Sequence, residues 1–327
     1  MGNWRTGIVQ ADAENIRIRG YDIGDLMRQG SFVDTVFLLH RGRLPEAGER
    51  KLLDAILVGV ADHGSGAPSC ATARLVASGN RQSLSAAVAA GLLAVGNEHG
   101  GAGAQTMEMI AAAAAKMRGE GVSVAAAAEE AIAAARARGE RLPGLGHRVH
   151  TRDPRVAVLF ELARVHQLAG MGVEFMLALE AAVRVQIKPI PLNIDGALAA
   201  LLYDLGFPPA AGLLIFLIGR VAGLTAEVAE EYAREKPMRI RIPVEYDGEP
   251  PRSLDGLTDA IRGGRAALPA GKSGAKGCEI PQGGPPPGSE CGAAPARRSA
   301  GLGPRAPKPA RAQAGRAAQP RRGPRQP

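Results

Sequence analysis

Residues 141–155 hold the side chains of this chain that are best suited to chemistry. Gly144 and Gly146 let the backbone approach a ligand closely and present bare N–H groups. His147 can donate or accept a proton near neutral pH. Arg155 follows a proline, so we expect it to open a helix with its planar guanidinium free to bind a carboxylate through two hydrogen bonds. This combination of residues predicts a functional site.

Helical sequence surrounds these residues. An Ala-rich stretch at 121–138 precedes them, and apolar runs at 156–169 and 171–185 follow. Aromatic residues make up only 3% of the chain, so the core must be filled by Leu, Val, Ile and Ala. Such a core suits closely packed helices.

The net charge of +8 belongs to the end of the chain. Residues 265–327 hold twelve Lys and Arg but two Glu, and the remainder has 28 basic and 30 acidic residues. Because nucleic-acid-binding domains carry a clustered basic surface, the nearly neutral body argues against that class of function.

Cysteine usage and hydropathy predict a soluble, cytoplasmic protein without a metal site. Three cysteines without regular spacing give neither a disulfide framework nor a zinc pattern, and Cys70 reads as a small core residue. No signal peptide is visible at the N-terminus. The apolar run at 210–219 is shorter than the roughly 20 residues that span a bilayer.

Two further candidates lie where helices are expected to begin. His99 precedes a predicted helix at 105–118, where N–H dipoles favour a neutral imidazole that can donate a hydrogen bond to a developing oxyanion. Asp195 falls in the first turn of a helix that Asn193 can cap. Taken alone, Asp195 is more typical of an aspartate that stabilises the helix dipole by about 0.3–1 kcal/mol.

Two other candidates come from helix context. His63 ends a helix beside Asp62, where capping or packing accounts for such a residue as well as ligand binding does. Arg220 lies on a mostly apolar helix, so it is expected to meet an anion.

Gly219 and Gly223 are four residues apart and predict close packing of another helix, from this chain or a partner.

The order of these motifs resembles that of citrate synthases and the related citryl-CoA lyases. The family's histidine loop, G-x-G-H-R-V followed by D-P-R, is matched by Gly144, Gly146, His147, Arg148, Val149 and Asp153-Pro154-Arg155. The run from His99 resembles the segment that contacts acetyl-CoA, although Gly103 stands where the family usually has Asn. Asn193-Ile194-Asp195 resembles the run that carries the catalytic aspartate. Residues 239–248 resemble the closing segment, with Pro243 in place of its second arginine.

The resemblance implies a role for each matched residue. His99, His147 and Asp195 would be catalytic, and Gly144 and Gly146 would lie against coenzyme A. The residues that would bind the carboxylates of oxaloacetate are His63, Arg155, Arg220 and Arg241, the last reaching into the site of a neighbouring subunit. The implied reaction forms or cleaves the carbon–carbon bond between acetyl-CoA and oxaloacetate, a step of the tricarboxylic acid cycle in the synthase direction. Coenzyme A thioester would be a substrate, with no tightly bound cofactor and no metal.

The resemblance also implies an all-α homodimer without membrane or nucleic-acid partners. A large helical domain would comprise residues 1–98 and 198–250, with a small catalytic domain at 99–197. Beyond about residue 251, Gly, Pro, Ala and Arg dominate, so this tail should add nothing to a core. The alternatives left open are synthase or lyase direction, oxaloacetate or another 2-oxo acid as the substrate, a biological tail or read-through, and a catalytically silent helical binding module with a basic tail.

Overall fold

The structure, a computed structural model, describes residues 3–147 and 151–251. Helices dominate this part of the chain. Three short strands come first: β1 (Val9–Ala11), β2 (Ile16–Ile18) and β3 (Tyr21–Asp22). The helices of the first half are α1 (Ile23–Gln29), α2 (Phe32–Arg41), α3 (Ala47–Ala61), α4 (Pro68–Gly79), α5 (Leu84–Leu93) and α6 (Ala102–Glu120). Those of the second half are α7 (Val124–Arg138), α8 (Pro154–Val165), α9 (Met171–Gln186), α10 (Ile194–Asp204) and α11 (Ala211–Arg234).

The strands form a small antiparallel sheet in the order β1-β2-β3. Alternation at Ile16 and Ile18 predicts β2, and the structure confirms it. The turn between β2 and β3 contains Gly20 at a φ of 89°, a conformation that glycine adopts without steric cost. The sheet contacts α1, so it adds a short extension to a helical body.

Helix α10 lies at the centre of the core. It is apolar on all sides, and six consecutive residues are fully buried: Ala197, Leu198, Ala199, Ala200, Leu201 and Leu202. A helix that is apolar all round must be surrounded, and α10 packs against α3, α6, α8, α9 and α11. Its N-terminus is therefore held firmly, and Asp195 lies in that first turn.

Helix α11 packs against α3 through the predicted glycine pair. A Cβ at Gly219 would lie 2.5 Å from Val60 Cγ2, and one at Gly223 would lie 2.2 Å from the Ala61 carbonyl oxygen. Neither position has room for a side chain. The partner helix that these glycines predict is α3 of the same chain.

Helix α11 is long and apolar enough to cross a membrane by length and composition, with a mean hydropathy of 1.7 over its most apolar window. The apolar run at 210–219 thus understates its length. Half of that window is buried inside the fold, and the helix carries the buried Arg220 and Glu231. These features fit a core helix.

Gly103, the departure from the family pattern, is where α6 crosses α11. A Cβ at Gly103 would lie 2.8 Å from the Gly212 carbonyl oxygen, and one at Gly212 would lie 2.4 Å from the Gly103 carbonyl carbon. The backbones of the two helices touch at this crossing. A larger side chain at either position would separate them.

Contacts between residues divide the chain at Tyr246, with residues 1–246 as one unit and 247–327 as the other. The predicted split of the first unit into large and small helical domains stays a prediction. Most of the predicted tail, from residue 252 onward, lies outside the described residues, as do Arg148, Val149 and His150 of the histidine loop.

Candidate active site

Asp195 begins α10, and burial sets its acidity. Asn193 caps the helix by accepting a hydrogen bond from the Gly196 N–H at 3.0 Å. Burial raises the pKa of the Asp195 carboxyl to about 6, although the nearby positive charges of Arg155 and Arg220 oppose the shift. A carboxylate with a pKa near 6 is a stronger base than an exposed aspartate and is still ionised at neutral pH.

The loop that carries His147 lies directly on the start of α10. Gly144 and Gly146 have φ values of 80° and 86°, which favour glycine. A Cβ at Gly144 would lie 2.8 Å from Gly196 Cα, so the two backbones are in contact. The Gly146 N–H donates to the Pro191 carbonyl at 2.7 Å. The glycines that the sequence assigns to ligand approach thus also bring the loop against Asp195.

His147 and His63 meet across the site. Their ring centroids are 5.2 Å apart and the rings are nearly perpendicular, at 82°. His63 lies in the exposed segment after α3, whereas His147 ends the described part of the loop. This pairing brings together two motifs that are far apart in sequence, and the ligand-binding role of His63 stays a prediction.

His99 is held by Ser69 at the start of α4. The Ser69 backbone N–H donates to His99 Nε2 at 3.2 Å, and the Ser69 hydroxyl lies 2.9 Å from the same nitrogen. A backbone N–H can only donate, so Nε2 acts as an acceptor and the hydrogen of the neutral ring belongs on Nδ1. The geometry therefore gives the neutral imidazole that the sequence predicts, oriented with Nδ1 as the donor.

Arg220 shares Ser69 with His99. Its Nη1 donates to the Ser69 hydroxyl at 2.9 Å and its Nε donates to the Val60 carbonyl at 3.0 Å. The residue is only 2% exposed, and burial lowers the pKa of its guanidinium. A charge so deeply buried is costly unless an anion meets it, as a substrate carboxylate would.

The expectation that the Arg155 guanidinium is free is wrong. Its Nε and Nη2 donate to the two carboxylate oxygens of Asp153 at 2.9 and 2.7 Å, and its Nη1 donates to the Gly59 carbonyl at 3.0 Å. Burial alone would raise the pKa of Asp153, but these hydrogen bonds and the arginine charge lower it overall. Asp153 is the N-cap of α8, so the turn that opens this helix also directs its carboxylate onto Arg155.

Arg241 lies apart from these residues. It is exposed in the irregular segment after α11 and is not among the described residues that line the groove beside Asp195. Nearby, Arg239 donates to the buried Glu231 from Nε at 2.9 Å, and Glu231 also accepts from Arg74 Nε at 3.0 Å. This ion cluster fixes the start of the segment to α4 and α11 and leaves Arg241 beyond it on the surface.

A groove of about 1070 Å³ runs from Asp195 between α6 and α7. At one end it is lined by Asn193, Asp195, His147 and residues 143–146, which are called the glycine loop below. Along its length the lining includes the alanines Ala112, Ala113, Ala127, Ala131, Ala134 and Ala135, and also the charged residues Glu108, Lys116, Glu130, Arg138, Glu140 and Arg141. The groove thus combines an apolar wall of small side chains with charged groups, as sites for small molecules often do.

A possible metal-ligand cluster fits a metal poorly. Within the part of the chain that the structure describes, one ligand atom each from Asp62, Cys70 and Glu227 lie within 4.8 Å of one another. Burial raises the pKa of the Cys70 thiol, which disfavours the thiolate that binds metals. Glu227 is already engaged by Arg74.

Two contributors to the site escape the sequence analysis. Ser69 binds both His99 and Arg220, but a serine among small helical residues gives no signal of this role. The side chain of Glu180 on α9 accepts from the Leu192 N–H at 2.9 Å and supports the segment before Asn193. Both act through contacts between distant segments, which spacing along one helix does not show.

Comparison with known proteins identifies the family. Residues 46–241 match the model of the citrate synthase C-terminal domain. The chain belongs to the citrate synthase family. The family resemblance inferred from the motifs is thereby confirmed, as is the helical fold.

Individual relatives of this citrate synthase family member include a solved citryl-CoA lyase from Hydrogenobacter thermophilus. That structure is 38% identical, with a TM-score of 0.70, and the match covers 78% of this chain and 99% of the other. Citrate synthase of Haloferax volcanii is 31% identical over 214 residues, or 64% of this chain and 53% of the relative. Citrate/2-methylcitrate synthase of Bacillus subtilis is 29% identical, and the match covers 62% and 52%. The chain spans about half the length of the curated relatives it matches.

Proposed function

We propose that this protein forms or cleaves the carbon–carbon bond between acetyl-CoA and oxaloacetate through citryl-CoA. The observation that carries the proposal is that the site holds both a base and a hydrogen-bond donor, which are two different side chains. One is Asp195, whose carboxyl pKa is raised to about 6, and the other is His99, whose Nε2 accepts from Ser69. Removing a proton alpha to a thioester requires both a base and a donor for the enolate oxygen.

In the synthetic direction, Asp195 takes a methyl proton from acetyl-CoA while His99 Nδ1–H donates to the thioester oxygen. His147 then polarises or protonates the oxaloacetate carbonyl as the new bond forms. Arg220, His63 and the positive charge of Arg155 hold the carboxylates. Cleavage of citryl-CoA passes through the same groups in reverse.

The 38% identity to a citryl-CoA lyase, against 31% to a citrate synthase, favours the cleavage direction. The direct experiment offers the protein citryl-CoA in one assay and acetyl-CoA with oxaloacetate in another. Acetyl-CoA produced from citryl-CoA supports the lyase, and free coenzyme A produced from the second mixture supports the synthase. If neither assay yields its product, the result would favour the catalytically silent binding module.

We also propose a homodimer in which Arg241 completes the partner's site. The support is its exposed position outside the groove of its own chain and the family resemblance of its segment. Mixing Asp195→Asn and Arg241→Ala chains should restore part of the activity that each variant lacks. An active monomer in analytical ultracentrifugation would contradict the proposal.

The groove between α6 and α7 is proposed to hold the thioester arm of coenzyme A. Ala134→Trp on its wall should raise the KM for the CoA thioester by about tenfold, equivalent to about 1.4 kcal/mol, and leave the KM for oxaloacetate unchanged. The matched control is Ala133→Trp, an exposed position on the same helix that does not line the groove. Equal effects of the two substitutions would place the thioester elsewhere.

The pKa of Asp195 predicts how turnover depends on pH. Only the ionised carboxylate can take the methyl proton, so synthetic turnover should rise as the pH increases through about 6. An unperturbed aspartate would give this rise near pH 4. The pH profile of kcat/KM, which reports groups of the free protein, measures the midpoint, and a midpoint near 4 would show that burial does not control this carboxylate.

A further inference from the structure

We infer that Asn193 is a positioning residue that fixes the catalytic base relative to the loop carrying His147. The inference rests on the proposed function for its kinetic consequence, but its structural part stands alone. Asn193 precedes Asp195 by two residues and reaches back to the glycine loop. One side chain thus connects two elements whose relative position must be fixed for the proposed reaction.

Both ends of the Asn193 amide are used. Its Nδ2–H donates to the Gly146 carbonyl at 2.7 Å, and its Oδ1 accepts from the Gly196 N–H at 3.0 Å. Because one partner only accepts and the other only donates, the orientation of the amide is determined. The Asn193 backbone N–H adds a third bond, to the Gly144 carbonyl at 3.1 Å.

The loop and the start of α10 are also packed closely against each other. The Gly144 and Gly196 backbones touch, and a Cβ at Gly196 would lie 2.4 Å from the Gly144 oxygen. Backbone bonds alone join the loop to the segment before α10 at Gly146 and Pro191. The Asn193 side chain adds the connection from the loop to the first turn of α10, where Asp195 lies.

Asparagine is the residue type that supplies both functions at this length. Serine can cap the helix through its hydroxyl but is too short to reach the Gly146 carbonyl as well. Aspartate can cap but has no hydrogen to donate when ionised. A capping role alone would therefore be satisfied by serine, whereas a linking role would not.

The experiment compares Asn193→Ser with Asn193→Ala in the full-length protein. We expect serine to recover most of the melting temperature that alanine loses, because it restores the cap. The kcat for citryl-CoA turnover should stay reduced by about 10–100-fold in both, since a misplacement near 1 Å can cost about 10²-fold. Ser31→Ala is the control. It removes the hydroxyl that caps α2 by accepting from the Asp34 N–H at 3.2 Å, and Ser31 is not among the described residues that line the groove.

Hydrogen exchange of the peptide covering residues 141–147 provides a readout independent of turnover. Exchange should accelerate in Asn193→Ser and in Asn193→Ala but not in Ser31→Ala. If serine restores kcat to the wild-type value, or if exchange stays at the wild-type rate in both Asn193 variants, the inference is overturned. If the wild type has no turnover while exchange still accelerates, the proposed function fails and the linking role holds.

Discussion

Replacing Asp195 by asparagine is expected to lower citryl-CoA turnover by about 10²–10⁴-fold, the range that general acid–base catalysis contributes. Asparagine keeps the shape of the side chain and removes the base. The surrounding cations, Arg155 and Arg220, stay in place, so carboxylate binding should change little. Steady-state kinetics should therefore show a fall in kcat with a nearly constant KM for citryl-CoA.

The same substitution should make the protein more stable at neutral pH. The folded-state pKa of Asp195 is raised to about 6 from 3.8, so the ionised carboxylate destabilises the fold above pH 6. Linkage puts that cost at about 1–3 kcal/mol, and it disappears as the pH falls below about 4. Thermal unfolding at pH 8 and pH 4 measures the difference and shows that the inactive variant is folded. Lower stability at pH 8 would mean that the carboxylate stabilises the fold instead.

Replacing His99 by alanine is expected to lower turnover by about 10²–10³-fold, the usual cost of removing one donor to a developing oxyanion. Ser69 orients this ring through Nε2 and also accepts from Arg220, so the substitution removes the Nδ1 donor together with one partner of the Ser69 hydroxyl. The loss should fall on kcat, because the donor acts most strongly as the enolate charge develops. Single-turnover kinetics with citryl-CoA would measure it.

His166→Ala is the matched control for the His99 substitution. His166 is the C-cap residue of α8 and packs near Gly48 at the start of α3, so it has no contact with the groove among the described residues. Its replacement should change stability slightly and leave kcat unchanged. Similar losses in the two variants would indicate general destabilisation and remove His99 from the mechanism.

Much of this site could be predicted because its determinants are local. An Asn-x-Asp run at a helix start predicts both the cap and the position of Asp195, and α10 has both. Glycines four residues apart predict a close helix crossing, which α11 makes with α3. In each case the residues that determine the structure lie within a few positions of one another in the sequence, so the pattern is visible before folding.

Determinants that depend on contacts between distant segments were not predictable in this way. Ser69 meets His99 and Arg220 only after α4, α6 and α11 have packed together. The engaged guanidinium of Arg155 is a local exception, because its spacing from Asp153 alone does not show that the α8 cap directs that carboxylate onto it. Gly103 looked like an unexplained departure until its contact with Gly212 showed where two helices cross.

In the proposed reaction, Asp195 removes the methyl proton of acetyl-CoA. The most direct measurement is deuterium incorporation into the acetyl group in D₂O, followed by proton NMR with oxaloacetate or an unreactive analogue bound. We expect protein-dependent exchange in the wild type and a loss of about 10²–10⁴-fold in Asp195→Asn. Exchange in the variant at the wild-type rate would contradict it, and His99 or another carboxylate would then have to be the base.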